Sequence, residues 1–329
     1  MFGLSGALVS VVPDEVAAVA GRGRCRATAF VTNQGSGTVS TIDVKSRTKH
    51  PSDIAVGPAP GGGAFTPDGK TLFVANYGSG TVSTIDVKTR TKDPADIPVG
   101  ASASGMAVTP DGKTALVAKF VDGTVSTIDV KTRTKNPTDI AIGPGQPVLV
   151  AVTPDGKTAF VTNTYGNSVS TIDLKTGTKD PTDIPVGSSP FGVAVTPDGK
   201  TAFVTNTISG TVSTIDVKTR TKDPTDIPVG SGPYTLTVTP DGKTAFVSNS
   251  FSGTVSTIDV KTRRKKLTDI RVGSNVRATA VTPDGKTLFV VNQDSATVST
   301  IDVKTRTKDP ADIPVGSMPI GVAVTPCRR

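Results

Sequence analysis

Asp122, Asp294, Lys119 and Arg277 are the residues of this sequence best placed to do chemistry, because each interrupts a pattern that otherwise recurs along the chain. Two carboxylates beside two cations suit general acid and base work, or a share in holding a metal. The rest of the usual equipment is thin. The chain has one His, His50, and one Glu, Glu15, so a His-activated Ser or a three-ligand metal site is hard to assemble. The recurring TPDGK lacks the upstream Gly of a Walker-type phosphate loop and precedes no helix.

The pattern these residues interrupt is a repeat. TPDGK begins at Thr66, Thr109, Thr153, Thr196, Thr239 and Thr282, and a truncated copy, TPCRR, begins at Thr325, with steps of 43 residues and one of 44. VSTID keeps the same beat seven times, ending at Asp43, Asp86, Asp129, Asp173, Asp216, Asp259 and Asp302. Each unit holds four short Val-, Ile- and Thr-rich segments; in the fifth they are GVAVT, TAFVTN, TVSTIDV and DIPVG. Pro197, Asp198 and Gly199 form a tight turn between the first two. No apolar run is long enough to cross a membrane as a helix. Four-stranded sheets of this size must stack to bury their faces, and the expected architecture is all-β: a seven-bladed propeller of antiparallel strands.

The chain enters at a second strand, Thr28 to Asn33, and leaves after a first strand, Gly321 to Thr325. Pairing the two closes the ring. The same register puts Cys25 and Cys327, the only cysteines, at the Asp position of one turn, and so predicts a disulfide with an entropic ceiling of about 5 kcal/mol. Residues 1–25 are read as a separate N-terminal segment and 26–329 as the propeller. MFGLSGALVSVV followed by Ala18, Val19 and Ala20 is signal-like, but no basic residue precedes it and Pro13, Asp14 and Glu15 interrupt it.

The phrase AFVTN at Ala29, Ala159 and Ala202, joined to TPDGK, SGTVSTID and DIPVG, resembles the YVTN-type β-propeller repeat family with Phe in place of Tyr. The likeness runs over nearly all of residues 26 to 326. It implies a seven-bladed ring of the kind found in secreted and cell-surface proteins of bacteria and archaea, and it supplies no catalytic residue. Lys119 in place of the motif Asn, the run RRKKLTDIRVG in the sixth unit and the truncated last turn depart from it. Together with the expected disulfide, the resemblance points to an extracytoplasmic setting.

The net charge is +8, yet a regular unit is neutral. The excess lies at the seam, in Arg22, Arg24, Arg26, Arg328 and Arg329, and in the sixth unit, in Arg263, Arg264, Lys265, Lys266 and Arg271. Such a patch suits phosphate or an acidic polymer, but no aromatics interleave it, and nucleic acid is not the expected partner. The Asp pairs of DPADI and DPTDI, Asp93 with Asp96 and Asp180 with Asp183, fit local turn capping better than calcium.

Alternating strand direction sends the monotonous TPDGK and KTRTK turns to one face of the ring and the variable loops to the other. The variable face collects Tyr77, Phe120, Asp122, Tyr165, Phe191, Tyr234, Phe251, Arg277 and Asp294, and aromatic and Arg anchors of this kind suit recognition. The expectation is a monomeric, non-catalytic binder of a protein, glycan or small ligand through those nine residues, with no cofactor. Propellers of similar appearance include lactonases and streptogramin lyases, which use carboxylates or His with a metal at the channel mouth. The alternative is therefore a metal-assisted lactonase or lyase working through Asp122 and Asp294. A purely structural surface-layer module is a third reading.

Overall fold

The computed structural model describes residues 27–266 and 268–326, and every regular element among them is a β-strand. Seven sheets form the ring, one per repeat. The second blade shows the plan. Strands Pro60–Phe65, Thr71–Asn76 and Thr81–Asp86 run antiparallel from the centre outward. The fourth strand is broken into two dipeptides, Thr91–Lys92 and Ile97–Pro98, which pair with the two ends of the third. Pro94 lies in the break, where its missing N–H would otherwise interrupt a continuous ladder.

Ring closure follows the expected register. Thr28–Asn33 pairs with Pro319–Val324, placing Val31 opposite Val322 and Phe30 opposite Ala323. Thr325 N–H donates to Thr28 O at 2.9 Å, and Thr28 N–H donates to Thr325 Oγ1 at 2.9 Å. Blade 1 is thus built from both ends of the described chain. The N-terminal segment 1–25 and the Cys25 to Cys327 pairing lie outside the described residues.

Each sheet is clamped between two neighbours, which is why both faces of the second strand are apolar. Phe30 packs toward blade 2 with Phe65, Leu72 and Val74, while Ala29 and Val31 pack toward blade 7 with Phe289 and Val291. Phe30, Phe73, Phe160, Phe203, Phe246 and Phe289 are fully buried at equivalent positions. Each such ring contributes about 3 kcal/mol of burial, so stability is spread around the circle.

The polar residues of the repeat are consumed locally. Asn76 Nδ2 donates to Thr81 Oγ1 and Ser83 Oγ at 3.0 and 2.9 Å, and Ser83 donates in turn to Asp96. The VSTID Asp closes its turn: Asp86 accepts from the amide and hydroxyl of Thr89. In TPDGK, Asp68 accepts from Thr66 and from Lys70 N–H. The DPADI carboxylates act separately and do not form a shared cation site. Asp96 pairs with Lys92 of its own blade, whereas Asp93 takes a hydrogen bond from Thr84 and an ion pair from Arg133 of the next blade.

Candidate functional site

The variable face is stitched together before any side chain is considered. In every blade the residue following the second strand donates its amide to a carbonyl in the loop entering the inner strand, as in Tyr77 to Ala59, Thr207 to Ser189 and Gln293 to Asn275. All seven acceptors sit at positive φ, including Ser189 at 56° and Asn275 at 53°. Non-glycine residues adopt that conformation at a cost, and the conformation turns the chain sharply into the channel wall. The two variable loops of each blade therefore meet at one fixed point.

At the start of the inner strands, Phe191, Tyr234 and Arg277 of blades 5, 6 and 7 come together. The Phe191 and Tyr234 rings stack at 3.9 Å between centroids and 25° between planes, and the Arg277 guanidinium carbon lies 4.6 Å from the Tyr234 centroid. Gly192 permits this approach: a Cβ there would meet Thr235 Cα at 2.8 Å and Tyr234 O at 2.9 Å. Their backbones are also tied across blades, since Thr162, Thr205 and Thr235 donate hydroxyls to the carbonyls of Phe191, Tyr234 and Arg277.

A polar chain continues from Arg277. Its Nε donates to Gln293 Oε1 at 2.9 Å, the same oxygen accepts from Asn275 Nδ2 at 2.9 Å, and Asn275 Nδ2 also donates to Asp294 Oδ1 at 3.0 Å. Ser250 donates to Asn275 Oδ1 and fixes that carboxamide from the other side. Arg277 is only 9% exposed, and among the described residues no carboxylate stands within ion-pair distance of it. Burial pushes the Tyr234 phenol up to about 12, against the opposing pull of the Arg277 charge and hydrogen bond. The phenol is therefore a neutral group at any ordinary pH.

The other predicted site residues divide into separate groups. Phe120 meets Tyr165 edge-on at 6.0 Å, with Phe120 buried and Tyr165 exposed. Asp122 is held by Lys119 at 3.0 Å, and Lys119 is held in turn by Asp139 at 2.6 Å. Phe251 is exposed. Tyr77 borders a groove of about 600 Å³ with Gly80, Pro98 and Ser102, a groove lined by no charged side chain. His50 lies on the opposite face, where its amide bonds Thr41 O.

Sequence reasoning missed Gln293, Asn275 and Asp139 as members of these clusters. Asn275 was discoverable, because a carboxamide side chain readily takes positive φ at a loop corner. The donor set does not suit the metal invoked by the lactonase alternative. Asp122 is committed to Lys119 and Asp294 to Asn275, and among the described residues no three His, Cys, Asp or Glu gather as ligands.

Similarity to known proteins bears on the function class. Residues 95–318 match the family model described as "Lactonase, 7-bladed beta-propeller". No curated protein sequence matches the chain. Among solved structures, hydrazine synthase of Kuenenia stuttgartiensis superposes with a TM-score of 0.77 at 23% identity, over 91% of this chain and 96% of that one. A candidate 6-phosphogluconolactonase from Bacteroides uniformis ATCC 8492 superposes at 0.77 and 19% identity, over 91% and 99%. Its counterpart from Bacteroides fragilis NCTC 9343 does so at 0.77 and 21%, over 91% and 98%. At these identities the superpositions show a shared fold. The family match overturns the expectation of a non-catalytic binder and favours the enzyme alternative. The scarcity of His and Glu that suggested a binder does not account for a buried guanidinium with no carboxylate partner. With two thirds of its length matched by one family model and seven sheets closed into one ring, the chain belongs to the lactonase family of seven-bladed β-propellers.

Proposed function

We propose that the chain hydrolyses a lactone at the variable mouth of the channel, with Arg277 as the electrophilic group and Asp294 as the base. The observation that carries this reading is the burial of the Arg277 guanidinium without a counter-carboxylate, held by Gln293 against the face of Tyr234. A desolvated cation of this kind stabilises negative charge far better than one in water. Lactone hydrolysis develops such charge on the carbonyl oxygen. The family and the Bacteroides candidate lactonases support the same reaction class.

In this reading the carbonyl oxygen accepts hydrogen bonds from Arg277. The Asp294 carboxylate takes a proton from water as the water oxygen attacks the acyl carbon. The bond from that carbon to the ring oxygen then breaks, and the ring oxygen takes the proton back and leaves as a hydroxyl. The product is a hydroxy acid, whose carboxylate faces the same guanidinium. The Phe191 and Tyr234 stack supplies an apolar wall beside the reacting group.

The test is titrimetric hydrolysis of a panel of γ- and δ-lactones. Replacing Arg277 by Gln is expected to lower kcat/KM roughly 10²- to 10³-fold, and Asp294→Asn to lower it comparably, in folded protein. Wild-type protein inert toward every lactone, or Arg277→Gln with undiminished turnover, would defeat the proposal.

A further inference from the structure

The outer rim of the other face carries a ring of junctions between neighbouring blades, and three of the seven lack the carboxylate that joins the other four. In four junctions a carboxylate joins one blade to the next. Asp93, Asp180, Asp223 and Asp309 each accept the buried hydroxyl of a Thr in their own blade, from Thr84, Thr171, Thr214 and Thr300. The same carboxylates pair with Arg133, Arg220, Arg263 and Arg47 of the following blade. In every case one oxygen, Oδ2, serves both partners. The junction of blades 3 and 4 is neutral throughout: Asn136 Nδ2 donates to Thr127 Oγ1 at 2.7 Å, and Gly177 stands where the Arg would be.

The remaining two junctions keep the Arg and the Thr but replace the carboxylate by a base. In register with the bridging Asp stand Lys266, at the junction that also holds Thr257 and Arg306, and His50, at the junction that also holds Thr41 and Arg90; their amides bond Thr257 O and Thr41 O. Thr257 Oγ1 and Thr41 Oγ1 are both buried without a hydrogen-bond partner, unlike their four counterparts. Neither Arg306 nor Arg90 makes an ion pair among the described residues, yet both hold the same positive φ, 60° and 58°, as the paired Arg47, Arg133, Arg220 and Arg263. The turn corner is thus the same at all seven junctions, Gly177 included at 69°, and at these two it carries an Arg for which the adjoining blade offers no bridging carboxylate. A buried hydroxyl with no partner is costly, and the charge that Lys266 brings to the junction is met only in part, by the Asp259 carboxylate of its own turn, which it helps hold below the usual carboxylate range.

We propose that the junction of blades 6 and 7 binds a small oxyanion, a carboxylate or phosphate, between Thr257, Lys266 and Arg306. One anionic oxygen takes the place of the Asp Oδ2 found in the four closed junctions: it accepts from the Thr257 hydroxyl and from Arg306, while Lys266 adds a second charge. The junction of blades 1 and 2, with Thr41, His50 and Arg90, repeats the arrangement with an imidazole as the third group.

Calorimetric titration with inorganic phosphate and with acetate, each against sodium chloride at matched ionic strength, tests this. Either anion is expected to bind and to raise the melting temperature, since a ligand held only by the folded state stabilises it. Lys266→Asp rebuilds the closed junction; it is expected to weaken binding at that site at least tenfold and to raise the melting temperature without added anion. In an Arg277→Gln background, which removes the anion-accepting group of the channel mouth, the doubly changed His50→Asp, Lys266→Asp protein should show no anion response beyond the chloride control. Conversely, Asp223→Lys, which copies the open arrangement beside Thr214 and Arg263, should add one binding site. An unaltered response in the double variant, or no response of wild-type protein to either anion, overturns the proposal.

Discussion

Gln293 Oε1 accepts from both Arg277 Nε and Asn275 Nδ2, each at 2.9 Å, so a single carboxamide oxygen sets the aim of the guanidinium at the channel mouth. The oxygen is neutral, and the Arg277 charge is left available to a ligand.

Gln293→Glu converts this contact into a buried ion pair of nearly the same shape. The expected outcome is a protein that melts no lower than wild type yet hydrolyses lactones roughly 10²-fold more slowly, because the guanidinium is neutralised before substrate arrives. Gln293→Leu should lower kcat/KM less, about tenfold, while costing about 1 to 3 kcal/mol through the abandoned Nε–H. Paired kinetics and thermal melts check both, and full activity in Gln293→Glu would remove Arg277 from the reaction.

Tyr234 gives an alkaline signature. Its folded value is raised to about 12 by burial, so its contribution is complete below the unfolded value near 10 and is lost as pH rises from there through 12. The amount at stake is roughly 3 kcal/mol. Urea denaturation across that window should show the loss in wild type and not in Tyr234→Phe. Phe191→Ala, which opens the stack, should cost about 3 kcal/mol and bring phenolate absorbance in at lower pH.

Lys119 predicts an asymmetry between two equivalent carboxylates. Burial alone would lower the lysine, but hydrogen bonds and charge from Asp139 and Asp122 outweigh it and hold the ammonium above its ordinary range. Burial likewise works against the Asp139 charge, but Lys119, Lys135 and Ser126 together hold that carboxyl below its ordinary range. The stability Asp139 contributes is present above the unfolded carboxylate range and disappears as pH falls through the depressed folded value. Asp139→Ala should cost about 3 kcal/mol because it strips a buried ammonium of one partner. Asp96→Ala should cost about 1 kcal/mol, since Asn76 stands where blade 3 has its lysine. Adding Lys119→Asn to Asp139→Ala should recover most of the difference in chemical denaturation.

The ring was legible because its instructions are local and repeated. TPDGK and VSTID each specify a turn wherever they occur, and the truncated copy at Thr325 revealed the closure of Val31 against Val322. The broken outer strand was less visible, since DIPVG supplies only its second half, Ile97–Pro98 in blade 2, and the first half, Thr91–Lys92, lies upstream across Pro94. At the mouth, the positions of Phe191, Tyr234 and Arg277 followed from register, but their contact did not. It depends on how closely Gly192 lets two inner strands approach. The function class was misjudged for a related reason: an Arg in a variable loop suggests an exposed anchor, whereas the family match points to an enzyme and the structure shows that Arg buried without a carboxylate partner. The junctions at Lys266 and His50 were likewise hidden, because the sequence shows a basic residue gained but not the buried Thr hydroxyl left without an acceptor.

Splitting each outermost strand into two dipeptides also bears on what the rim of the ring offers to a foreign strand. Seven nearly identical sheets would present seven interchangeable borders to one another and to neighbouring copies. Each border instead offers pairing in fragments of two residues, often with a proline in the second, too short and too interrupted for a foreign strand to zip onto. The repetition that makes the ring easy to build therefore leaves no long border along which it could be extended.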